Sequence, residues 1–178
     1  MGSHRMVTKQ VSFYEEMTNV PFIIAGPGIH PRQKPVEDLL TQPTIDLLPT
    51  LCELAGIPVP SSKPGISLAP FLKGEKQKRQ HPYAASEWHS EYEVTVSPGR
   101  MIRSPRYKYT HYLEGNGEEL YDMLKDKGER RNLAHDPKYS KILAEHRALL
   151  DDYIRRTQDD YRSLKVEADK RWRSHAPG

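Results

Sequence analysis

Apolar positions first cluster at Val20-Pro21-Phe22-Ile23-Ile24-Ala25, a run short and β-rich enough to predict a buried strand. Gly26-Pro27-Gly28 breaks it, since neither residue type continues a strand interior well. After a polar connector the pattern changes period. In Pro43 to Gly56, Ile45, Leu48, Leu51, Cys52 and Ala55 recur at helical spacing and predict a helix with one apolar face. Gly56 stops it in the manner of a C-cap, and Pro58 and Pro60 prevent its resumption. Pro49 has no N–H to donate and must lie in the first turn or kink the helix. A buried strand, a loop and a helix docking back is half of an α/β layer.

From His81 the period becomes two. Pro82 to Trp88 reads as a strand. Arg100 to Arg103 and Tyr107 to Tyr112 alternate around Ser104-Pro105-Arg106, a hairpin signal, and Glu119 to Met123 follows the Gly115-Asn116-Gly117 turn as a further strand. These runs predict a small antiparallel sheet of about four strands. Asp136-Pro137 is an N-cap followed by proline at N1. The helix it opens carries a stripe of Tyr139, Ile142, Leu143, His146, Leu149, Leu150 and Tyr153, so one face packs on the sheet. Past Thr157 charge dominates. The expected organisation is therefore the end of an α/β core over residues 1–75, an antiparallel subdomain with its closing helix over 76–158, and a charged helical extension or tail over 159–178.

Composition sharpens this picture. A hydrophobic content of 36% and a mean hydropathy of −0.79 are lean for an independent α/β domain and suggest a layer without its partner, whose exposed apolar face would self-associate. A net charge of +3 is too small to argue for nucleic acid, and no apolar run approaches the roughly 18 residues of a membrane helix. Neither partner is expected. A single cysteine excludes an internal disulfide and leaves the compartment open. Two basic runs, Lys73 to Arg79 and Arg162 to Arg173, motivate an alternative reading as a stand-alone module for sulfated or phosphorylated polymers. Arg171-Trp172-Arg173 interleaves an aromatic with cations, whereas Glu75, Glu167 and Asp169 interrupt the runs.

The order Val20 to Gly28, Ile45 to Pro58 and Gly65-Ile66-Ser67-Leu68-Ala69-Pro70-Phe71-Leu72-Lys73-Gly74 closely resembles the segment that follows the active site in sulfatases of the alkaline-phosphatase superfamily. Their "VPLII-GPG" strand, "IDLLPTLLELAGI-P" helix and "G-SL-P-L-G" turn appear here in register. Gly2-Ser3-His4 through Lys9, followed by Tyr14-Glu15-Glu16 and Val20-Pro21, matches their "G-H-----K" loop and "YEE---VP"; a tag remnant at residues 1–4 is the competing reading. In the second half, Arg106-Tyr107-Lys108-Tyr109 resembles "R--KYI". Glu119 to Tyr139 resembles "ELYDL--DP-E--NLA-DP-Y", with Lys127 in place of the usual proline. The resemblance covers about residues 1 to 155.

It implies an alkaline-phosphatase-like α/β/α fold, of which this chain holds the last strand and helices plus the small sheet. It also implies hydrolysis of sulfate esters by the full-length protein, a calcium ion there, and a minority of relatives acting on phosphoesters or phosphonates. Full-length relatives are often periplasmic or secreted. The family's C/S-x-P-x-R nucleophile motif is absent from these 178 residues, and Cys52 reads as a small hydrophobe on a helix face. No metal-ligand motif is present, so no metal is assigned to this chain and it is expected to be inactive alone; a sulfate-ester substrate would be met together with the N-terminal half. The resemblance places Lys9 against the sulfate, where an ammonium would stabilise charge on the sulfuryl oxygens. His4 would donate a proton or hold the loop. Trp88 and His89, in the variable part of the small subdomain, would read the substrate; strand-end packing is the plainer alternative.

Overall fold

The computed structural model of the chain describes residues 4, 12–31, 35–36, 39–76, 81–89, 98–113 and 117–164. They fall into two compact units, Met1–Asn19 with Ala85–Gly178, and Val20–Ala84. Described residues 12–19 group with the sheet.

The larger unit carries the antiparallel sheet in the order β1 (Ala84–Trp88), β2 (Gly99–Arg103), β3 (Tyr107–Tyr112) and β4 (Glu118–Asp122). The period-two runs become strands because each finds a sequence neighbour to pair with. Arg103 opposes Lys108 across the Ser104 to Arg106 turn, where the Ser104 amide donates to the Tyr107 carbonyl at 2.9 Å. Opposed residues share a face, so the register sorts the side chains. Met101, Thr110 and Glu119 lie on one face with Arg103, Lys108 and Tyr121; Ile102, Tyr109 and Leu120 lie on the other with Arg100, His111 and Glu118.

The second face is covered by α4 (Ser140–Thr157), entered through a 3-10 turn over Pro137–Tyr139 that Asp136 caps by accepting from the Lys138 amide. Leu143, His146 and Leu150 of the expected stripe are its buried positions. The helix ends where Gln158 turns left-handed, with φ of 55°. The chain beyond is not a free tail through Leu164. Tyr161 is fully buried and its hydroxyl donates to the His111 carbonyl at 2.7 Å. Asp159 forms a two-pronged pair with buried Arg100, at 2.6 and 2.8 Å. Hydropathy misses this because the anchor is one aromatic and one ion pair among charged residues.

His146 is buried between Ser104 and Ile142. Its Nδ1 lies 2.8 Å from the Ile142 carbonyl, which can only accept, so Nδ1 carries the proton and Nε2 faces the Ser104 hydroxyl at 2.9 Å. Burial pushes its pKa below the ordinary 6.5, and burial lowers His111 likewise. The unfolded chain therefore binds a proton that the folded chain resists. The contribution of neutral His146 is complete above about 6.5 and is lost as pH falls toward the lower folded value. Denaturant titrations at pH 7.5 and 5.5 are expected to show a drop in stability that becomes smaller in His146→Gln.

The smaller unit holds α2 (Pro43–Leu54) and the short α3 (Ala69–Leu72). Here two expectations are corrected. Val20 to Ala25 is not a strand. A strand needs a neighbour for its amides and carbonyls, the described residues supply none, and Ile23 is 85% exposed. The apolar face of α2 is also not its buried one. Asp46, Pro49 and Thr50 are buried, while Leu48 and Leu51 are 45% and 52% exposed. Asp46 accepts from the amides of Gln42 (2.7 Å) and Ile66 (2.8 Å) and meets His81 Nε2 at 2.7 Å; Thr50 accepts from the Leu68 amide at 2.9 Å. These polar bonds tie the following loop and α3 to the helix, and the apolar residues point away from them. Pro49 lies inside the helix, not in its first turn. The Ile45 carbonyl it leaves without a donor is covered by Gly65, where a Cβ would stand 2.1 Å from that oxygen. Cys52 is half-buried.

Candidate functional site

The first face of the sheet is covered by residues 12–18, and there the larger unit concentrates its buried charge. Two features of sequence hold this segment. Phe13 is buried and packs at Gly99, where a Cβ would come within 2.6 Å of its ring. The short α1 (Glu15–Thr18) then brings Glu15 against Lys108 of β3.

Lys108, almost fully buried on β3, is the centre of the cluster. Its Nζ lies 2.6 Å from Glu15 Oε1 and 2.8 Å from Glu129 Oε1, and donates to the Phe13 carbonyl at 2.9 Å. Glu129 is also buried, and its other oxygen accepts from the Glu15 amide at 2.7 Å. Glu129 adopts a left-handed backbone, φ 49°, uncommon for a residue with a side chain. Burial raises its pKa, and the Lys108 charge opposes that rise. Glu119, beside it on the same face, is raised by burial and then by the charge of Glu129. One ammonium thus stands among several carboxylates and is held against the backbone of residue 13.

His4 lies at the edge of this cluster. Its ring stacks on Tyr14 at 3.6 Å and 4°, and Tyr14 leans on Tyr121 at 6.3 Å. The His4 backbone is left-handed, φ 52°, and its Nε2 is buried with no hydrogen-bond partner. An open cleft of about 850 Å³ is lined by His4, Tyr14, Tyr121, Glu129, Arg130 and Asn132. Lys9 lies outside the described residues, between two described flanks, His4 and residues 12–18, that both rest on this face.

Trp88 and His89 occupy a different place. Trp88 ends β1, half-buried, with its indole Nε1 buried and without a partner. Its carbonyl accepts from Arg100 at 3.0 Å, and His89 Nε2 lies 3.1 Å from the same guanidinium. Among the described residues, no hydrogen bond, ion pair or ring contact joins either to His4. No periodicity in the sequence marks the Lys108 cluster, although its members stand in three of the family motifs: Glu15 in "YEE", Lys108 in "R--KYI" and Glu129 in "DP-E--NLA".

Two groups among the described residues bring three potential metal ligands together, His4 with Glu16 and Glu129, and His89 with Asp159 and Asp160. Neither fits the calcium that the resemblance implies. Calcium takes 6–8 oxygens, each group includes an imidazole, and Glu129 and Asp159 are already committed to Lys108 and Arg100.

The family described as "N-sulphoglucosamine sulphohydrolase, C-terminal" matches residues 2–156. A Δ4,5-hexuronate-2-O-sulfatase of Bacteroides thetaiotaomicron is 77% identical over 178 residues, all of this chain and 37% of that protein. A choline-sulfatase of Rhizobium meliloti is 36% identical over 72% of the chain and 24% of its own length. The solved structure of a 2-O GAG sulfatase superposes with a TM-score of 0.91 at 77% identity, covering 99% of this chain and 38% of that one. The chain therefore spans little more than a third of these two 77%-identical relatives. It belongs to the sulfatase family, as its C-terminal portion.

Proposed function

We propose that these residues serve a longer sulfuric ester hydrolase that removes a 2-O-sulfate from a Δ4,5-unsaturated hexuronate. The observation that carries this reading is the 77% identity to the Δ4,5-hexuronate-2-O-sulfatase along the whole of this chain. Within that enzyme Lys9 holds a sulfuryl oxygen, and His4, stacked on Tyr14, holds the loop between them. Trp88 and His89 belong to the variable part of the subdomain and would act on specificity rather than on sulfate. The calcium that the resemblance implies would be bound by residues outside this chain. The polymer-binding alternative rests on Lys73 to Arg79 and Arg162 to Arg173, of which residues 77–79 and 165–173 lie outside the described residues; within these runs, Arg162 is paired with Asp151. The test is sulfate release by the full-length protein from an unsaturated disaccharide sulfated at the uronate O2, beside the same disaccharide sulfated only at the hexosamine. Release from the first alone is expected. Release from the second alone, or turnover of a phosphoester in preference to both, would overturn the reading.

A further inference from the structure

We infer that Lys108, with Glu15 and Glu129, is a positioning device that sets the chain on the C-terminal side of Lys9, while Tyr14 sets the other side through His4. The inference rests on the reading of Lys9 as the sulfate-contacting residue. Four observations carry it. Lys108 Nζ reaches three groups of the segment 12–18: the Phe13 carbonyl at 2.9 Å, Glu15 Oε1 at 2.6 Å and Thr18 Oγ1 at 3.4 Å. Glu129 closes the arrangement from β4's side by accepting from the Glu15 amide. Lys108 and Glu129 are nearly solvent-free, so these bonds are little screened and geometrically demanding. Finally, His4 lies flat on Tyr14, the residue immediately before α1, so the two flanks of residues 5–11 rest on one another and on the sheet.

A cluster whose only purpose was stability would be better served by apolar residues of the same volume. A buried ammonium bound to a carbonyl and two carboxylates instead fixes a direction. It holds a short segment at one height above β3, and a catalytic charge a few residues away inherits that placement. Misplacing a reacting group by about 1 Å costs on the order of 10²-fold in rate. Lys108 touches no substrate on this view; it acts through the segment that carries Lys9.

The experiment uses the full-length protein and its 2-O-sulfated substrate, with Lys108→Met and Lys9→Ala made singly and together. Lys108→Met is expected to lower kcat by about 10- to 100-fold with KM changed less than about 3-fold, in protein that retains its fold by circular dichroism. In the Lys9→Ala background the same change is expected to cost less than about 3-fold, because the placement no longer has a charge to serve. An unchanged kcat in folded Lys108→Met, or the same loss in both backgrounds, would overturn the inference. If Lys108→Met does not fold, Glu15→Gln takes its place: it keeps the Lys108–Glu129 pair, its expected loss is about 3- to 10-fold, and the same coupling criterion decides. A Lys9→Ala enzyme with unimpaired turnover removes the reading of Lys9 and this inference with it. An impaired Lys9→Ala enzyme with no coupling removes this inference alone.

Discussion

Replacing Lys108 with methionine is expected to cost about 3–5 kcal/mol of stability, the loss typical of breaking a buried ion pair from one side. The chain length of the residue is kept, so the effect is not a cavity. What changes is the charge. Glu129, about 1% exposed, keeps the Glu15 amide but loses its cation, and Glu15 and Glu119 remain close to it. The Phe13 carbonyl loses its donor as well. Removing the second partner should relieve much of this: Lys108→Met with Glu129→Met is expected to lose clearly less than the sum of the two single changes. Denaturant titration of the four proteins measures the coupling. A loss below about 1 kcal/mol, the level of an exposed pair, would show that the cluster is wetter and looser than its geometry indicates.

The largest effect on chemistry is expected at Lys9. Sulfuryl transfer concentrates charge on oxygens that water cannot solvate inside a closed site, and a compact ammonium is suited to one such oxygen. Lys9→Ala in the full-length enzyme should lower kcat/KM by about 10²–10³-fold, as does removal of one preorganised donor elsewhere. Lys9→Arg should recover only part of this, because a planar fork does not fit the place of a point charge. The fall should lie mainly in kcat, since charge on the oxygens grows toward the transition state. A normal kcat/KM in Lys9→Ala would remove Lys9 from the site.

Much of the sheet unit is legible in the sequence because its contacts are local. β2 to β4 are joined by short turns, and period-two alternation fixes their register. The closing helix is announced by Asp136-Pro137 and by a stripe whose centre, Leu143, His146 and Leu150, is what the fold buries. Legibility fails where partners are distant or outside the described chain. Val20 to Ala25 has the composition of a strand, but composition supplies no neighbouring strand. On α2 the apolar periodicity points to one buried face, whereas Asp46 and Thr50 are buried by bonds to a loop some twenty residues ahead. Arg100 and Asp159 lie 59 positions apart, and Lys108 and Phe13 lie 95 apart. No periodicity reports such pairs. The candidate site shares this property. His4 and Lys9 stand out only through the motif around them, and Lys108, which holds residues 13–18, reads in sequence as an ordinary strand residue.

The most direct measurement is turnover by the 178-residue chain beside the full-length protein, each given the unsaturated disaccharide sulfated at the uronate O2, an aryl sulfate and an aryl phosphate, with calcium added. Positioned acid–base chemistry alone supplies about 10²–10⁴-fold, against the roughly 10⁶-fold or more that an enzyme provides, and the chain holds no C/S-x-P-x-R nucleophile motif. Sulfate release is expected from the full-length protein and none from the chain, with activity returning when a separately expressed N-terminal part is added. Metal-dependent turnover by the chain alone, abolished by Lys9→Ala, would contradict this expectation.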